Sequence, residues 1–72
     1  MKQVTITSLT GSEPYSIYIC DNTYNSCMYI AQIYDADIPY TFLVPDPYKS
    51  LVSVGIKAID INDCVIKNVV TL

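Results

Sequence analysis

The sequence predicts an all-β fold, a small sandwich or barrel of about six short antiparallel strands, on three observations. Residues of high β propensity, Val, Ile, Thr and Tyr, are gathered into short runs separated by Asp, Asn, Ser and Pro, the residues that make turns. Most runs alternate apolar with polar positions, the period of a strand covered on one face. Nowhere does an amphipathic helix announce itself: the best helix former, Met28-Tyr29-Ile30-Ala31-Gln32-Ile33, is six residues long and has no cap before it.

The elements follow in order. Val4-Thr5-Ile6-Thr7 alternates cleanly, which places strand one over residues 2–9 and ends it at Thr10-Gly11-Ser12. Pro14 opens strand two, Tyr15-Ser16-Ile17-Tyr18-Ile19-Cys20, with Tyr15, Ile17 and Ile19 on one face and Tyr18 and Cys20 on the other. The polar group at 21–26 is a hairpin loop, and strand three covers 27–34. Asp35-Ala36-Asp37 turns the chain into a short edge strand over 38–44, with Pro39 near its start. Pro45-Asp46-Pro47 reads as a stiff extended spacer, since Pro47 biases Asp46 away from helical geometry.

The last third is the clearest part. Two apolar runs, 51–59 and 64–72, flank Asp60-Ile61-Asn62-Asp63, and Asn-Asp tolerates the positive φ of a tight turn, so the segment is a β-hairpin. Val52, Val54, Ile56 and Ala58 belong on one face with Cys64, Ile66, Val70 and Leu72. Ser53, Lys57, Lys67 and Thr71 belong on the wetter face.

Composition bounds the role. The 72 residues form one domain, 1–72, and a chain this short buries only about 60% of the surface it exposes when unfolded. With 51% hydrophobic and 15% charged residues it is too apolar for disorder, and its surplus of apolar surface points to assembly with neighbours. Four scattered lysines, no arginine and a net charge of −3 argue against nucleic acid. No run approaches the roughly eighteen apolar residues of a membrane span. The start lacks the apolar core of a signal peptide, so the expectation is a complete chain made in a cytoplasm, with no membrane partner.

Chemistry is scarce. The chain has no histidine, the commonest general base near neutral pH, so no catalytic residue is assigned and the chain is expected not to be an enzyme. Asp35 with Asp37, or Asp60 with Asn62 and Asp63, offers hard oxygens to calcium, but the turn-forming reading of these residues is preferred, and no metal or cofactor is expected. Cys20, Cys27 and Cys64 lack CxxC spacing and read as buried thiols, with a Cys20–Cys27 bridge as the alternative in an oxidising compartment. Of the seven tyrosines, Tyr15, Tyr29 and Tyr40 serve a core or a contact equally well. Tyr24 and Tyr48, placed in loops, are the contact candidates together with Pro45 and Pro47.

The segment Ile56-Lys57-Ala58-Ile59-Asp60-Ile61-Asn62-Asp63-Cys64, preceded by Pro39-Tyr40-Thr41-Phe42 and Pro14-Tyr15-Ser16-Ile17-Tyr18, resembles Ig-like β-sandwich repeats of surface adhesins from Bacteroidetes. Those repeats end in an Asp-x-Asn-Gly-Cys turn and a last strand; here Asp63 stands in place of the glycine. A free-standing version of this size is similar to small virion proteins of tailed phages that infect Bacteroidetes, crAss-like phages among them. The resemblance implies a small Ig-like sandwich and a structural component of a bacteriophage virion. Such a component sits in many symmetric copies on capsid, collar or tail, bound to other virion proteins and assembled in the host cytoplasm. The alternative it leaves open is an adhesin-like module recognising a host receptor or glycan.

Overall fold

The computed structural model describes residues 2–72, with the side chain of Pro47 outside the description. Six strands form: β1 (Gln3–Ile6), β2 (Tyr15–Cys20), β3 (Cys27–Ile33), β4 (Tyr40–Leu43), β5 (Ser53–Ile59) and β6 (Val65–Thr71). They make two antiparallel sheets, a pair β1-β4 and a four-stranded sheet in the order β3-β2-β5-β6. The fold is therefore all-β, a small sandwich, as the alternation of the sequence requires.

The core lies between the sheets. Val4 and Ile6 pair across the smaller sheet with Phe42 and Tyr40, and they face Tyr15, Ile17 and Ile19 of β2 and Val54, Ile56 and Ala58 of β5. Ile17, Ile19 and Val54 are fully buried, each burial contributing about 1.5–3 kcal/mol relative to exposure. On the other face of the smaller sheet Thr5 and Thr41 share a hydrogen bond of 2.9 Å between their hydroxyls. Strand β2 is hydrogen-bonded on both sides, to β3 and β5, and forms the middle of the molecule.

Three expectations change. The first strand is shorter than 2–9, because Ser8 to Ser12 leave the sheet and Gly11 takes φ +120°. A side chain at Gly11 would collide with the Asp60 carboxylate, its Cβ 2.5 Å from Oδ2. The strand over 38–44 contracts to Tyr40–Leu43, with a 3₁₀ turn at Asp35–Asp37 before it. The spacer at Pro45 is instead one helical turn, α1 (Asp46–Lys49). Prolines at the start of a helix lose no hydrogen bond, because the first amides have no helical partner, and an Asp46–Lys49 ion pair of 2.8 Å closes the turn at the surface. That turn swings Tyr48 inward.

The final hairpin forms in the expected register of faces, with Val54, Ile56 and Ala58 inward opposite Val70, Asn68 and Ile66. Its turn holds Asp63 at φ 66°. Val52 and Cys64 fall outside the strands and are exposed, so neither joins the inner face.

Asp60 holds the turn. Its Oδ1 accepts the amides of Cys64 at 2.8 Å and Asn62 at 2.9 Å, and Oδ2 accepts that of Ser12 at 3.3 Å. These N–H donors, the Cys64 amide above all, hold its carboxyl below the ordinary aspartate value against the opposing effect of burial. Nearby, the buried Tyr15 hydroxyl donates to Asp35 Oδ1 at 2.9 Å. Burial first, and then the Asp35 carboxylate, push the phenol's pKa up.

Candidate interaction surface

One face of the four-stranded sheet is packed on the core, and its other face is open to solvent. Cross-strand pairing orders that outer face into rows, because residues opposite one another point the same way. The central row runs across all four strands: Tyr29 of β3 pairs with Tyr18 of β2, Tyr18 with Lys57 of β5, and Lys57 with Lys67 of β6. Below it lies Cys27, Cys20, Gly55 and Val69, and above it Gln32, Ser16, Ile59 and Val65.

Tyr29 reaches this face through a β-bulge. Ile17 pairs with Ala31 but Tyr18 pairs with Tyr29, so Ile30 is an extra residue and the alternation of β3 inverts there. Unbroken period-2 alternation would have put Tyr29 beside Ala31 and Ile33 on the inner face. Instead it is 54% exposed, and its ring meets Tyr18 edge-on with centroids 5.5 Å apart. Of Tyr15, Tyr29 and Tyr40, Tyr15 enters the core and Tyr40 is half-buried at its edge.

Tyr24 comes to the same face from the β2–β3 loop. Asp21 Oδ1 gathers the Thr23 hydroxyl at 2.8 Å and the amides of Asn25 at 3.0 Å and Thr23 at 3.1 Å, a local ring of bonds that fixes the loop. The Thr23 hydroxyl is the main reason the Asp21 carboxyl sits below its ordinary value. Tyr24 itself takes φ 61° and folds back over Gly55. Gly55 has no side chain for a reason: a Cβ there would stand 2.6 Å from Tyr24 Cε1 and 3.0 Å from the Asp21 carbonyl oxygen. Beneath this loop Cys20 and Cys27 are joined by a disulfide, whereas Cys64 is an exposed free thiol. The expectation of three buried thiols is thereby corrected.

Both lysines of the row lie over rings, Lys57 Nζ 5.1 Å from the centroid of Tyr18 and Lys67 Nζ 5.1 Å from that of Tyr24. None of the four strands of this sheet contains a carboxylate. The surface is thus cationic and aromatic on a chain that is acidic as a whole. It continues to β6, whose outer edge has no hydrogen-bonded strand neighbour among the described residues and whose Val65 and Val69 are half exposed.

Of the four contact candidates named from sequence, Tyr24 lies on this surface, and Tyr48 and Pro45 do not. Tyr48 is corrected: it is 5% exposed, packed in the core, and its hydroxyl donates to the Ser26 carbonyl at 3.1 Å. The helical turn that buries it is the physical reason. Pro45 stands half-buried at the N-cap of that turn, and Pro47 is in its backbone, while the Pro47 side chain falls outside the described residues. Of the row residues, Tyr29 reads from sequence equally as core or contact, and Tyr18, Lys57 and Lys67 were not singled out as contact residues. The outward placing of Tyr18, Lys57 and Lys67 was readable from alternation, but their alignment depends on register and the bulge.

The acidic clusters weighed for calcium do structural work here: Asp37 Oδ2 accepts the Tyr34 amide at 2.9 Å, and Asp35 and Asp60 are engaged as above. Among the described residues no group of three or more His, Cys, Asp or Glu side chains is placed to hold a metal ion. The class defined by fold and surface is a small two-sheet β domain with an open aromatic and basic face. In comparisons with protein-family models, curated proteins and solved structures, nothing matches the chain.

Proposed function

We propose that this protein is a structural subunit that works by protein–protein contact rather than by catalysis, a multi-copy component of a bacteriophage virion attached to capsid, collar or tail. The observation that carries the reading is strand β6. It is seven residues long, lies at the free edge of its sheet, contains no proline and only one charge, and presents Val65 and Val69 outward. Natural sheets blunt such edges with charges, prolines or bulges, and an edge left flat and apolar is suited to pairing with another chain. A domain of 72 residues with marginal stability of its own gains from that pairing, and symmetry multiplies weak contacts into firm attachment.

The Cys20–Cys27 bridge fits this reading, since disulfides persist on surfaces exposed to oxidising surroundings, virion exteriors included. The likeness to Ig-like virion modules supports it from the sequence side. A second reading, an adhesin-like module that recognises a host ligand, draws on the Tyr and Lys row. Quantitative mass spectrometry of purified phage particles tests the first reading directly. Many copies of this chain per particle are expected, and its absence from particles overturns the proposal.

A further inference from the structure

We propose that the row Tyr29, Tyr18, Lys57, Lys67 is a docking site for an acidic, extended peptide segment of a partner protein, one of whose carboxylates bridges Lys57 and Lys67. This rests on the reading of the chain as a contact module and names the partner's chemistry. Lys57 and Lys67 are directly opposite each other on adjacent antiparallel strands and on the same face. Like charges so placed repel and weaken the sheet, and the ordinary remedy is a carboxylate at a neighbouring position. Here there is none: the strands of this sheet carry no Asp or Glu, and among the described residues the only ion pair is Asp46–Lys49, on a different element. The uncompensated pair is a charge that a ligand is left to neutralise.

The geometry suits a peptide. Neighbouring strands are about 4.8 Å apart, so the four-residue row spans about 14 Å and sets the two lysines on adjacent strands, where their flexible stems can converge on one carboxylate. That length is about four residues of extended chain laid across the strands. The rings of Tyr18 and Tyr24 under the two ammonium groups hold them at the sheet surface, and each lysine has N–H donors left for a carboxylate. Beyond the lysines, the edge-on pair Tyr18 and Tyr29 offers an apolar floor with hydroxyl tips for the segment's next side chains. Nucleic acid is a poorer fit, since two lysines without arginine neutralise few phosphates.

The test is an NMR titration of the intact chain with a hexaglutamate peptide, with hexalysine and a sialylated trisaccharide as parallel arms. Hexaglutamate is expected to shift the signals of Tyr18, Tyr29, Lys57 and Lys67, with an affinity that falls as salt rises. The variant K57Q/K67Q is expected to bind about tenfold more weakly, the sum of two exposed charge pairs. The reversal K57E/K67E is expected to exchange the preference to hexalysine, its own spectrum showing that the fold is kept. Shifts outside the row, an unchanged affinity in K57Q/K67Q, or tighter binding of the trisaccharide than of the peptide would overturn the proposal. Multi-copy incorporation into particles alongside any of these would leave the structural role standing and remove this site alone.

Discussion

Replacing Gly55 by alanine probes whether Tyr24 is seated on the sheet as described. The new methyl group would lie 2.6 Å from Tyr24 Cε1 and 2.8 Å from Cζ, well inside van der Waals contact, so the ring must leave. Leaving forfeits the Lys67 contact, about 0.5–1 kcal/mol at an exposed site. It also uncovers roughly 100 Å² of apolar surface, about 2.5 kcal/mol at 25 cal/mol per Å² if the loss is complete. Alanine returns about 0.4–1 kcal/mol by restricting the unfolded chain. With complete loss the net cost is then about 2–3 kcal/mol, against a total stability of about 4–10 kcal/mol for a chain of this length. In a Tyr24→Ala background the obstacle is gone, apart from the Asp21 carbonyl at 3.0 Å, and Gly55→Ala should be close to neutral. Urea denaturation of the wild type, both single variants and the double variant yields the coupling directly, expected at about 2–3 kcal/mol. Additive effects, with Gly55→Ala equally costly in both backgrounds, would refute the placement of Tyr24.

Other outcomes follow from the same geometry. Ile17→Ala, at a fully buried position between the sheets, should cost about 2–5 kcal/mol in urea denaturation and leave the domain near unfolding. Asp60 and Asp21 have folded-state carboxyls below their unfolded values. Their stabilisation is therefore present above the ordinary aspartate range and is lost as pH falls through the lowered folded values. Asp60→Asn should be less stable than wild type at neutral pH, with the difference shrinking in acid, as read by thermal melts across pH. Gly11→Ala should cost about 1–3 kcal/mol, because φ +120° suits glycine and the added Cβ meets the Asp60 carboxylate. Alkylation of the native, unreduced protein should label Cys64 alone, and all three cysteines after reduction and unfolding, as counted by intact mass.

The strands were legible because their cores alternate. Val4 and Ile6, the Tyr15, Ile17 and Ile19 set, and the Val54, Ile56 and Ala58 set all read inward from sequence and are buried. The Asn62-Asp63 turn was legible because positive φ at Asp63 suits an Asp side chain. The helical turn at 46–49 was not, since the local bias of a residue before proline favours extended backbone and is overridden by burying Tyr48. Nor was Tyr29, because a single bulged residue at Ile30 inverts a face and leaves no mark on composition. Sequence carried Tyr24 onto the candidate surface but not the row beside it. Rows exist only once strands are set in order and in register, and β2 pairs with β5 across 32 intervening residues (residues 21–52).

Sedimentation velocity on the purified chain over a range of micromolar concentrations tests the contact-module account most directly. Reversible association that rises with concentration, and that is weakened by Val69→Lys on the free face of β6, is the predicted result. A single monomeric species at every concentration, unchanged by that substitution, would contradict it.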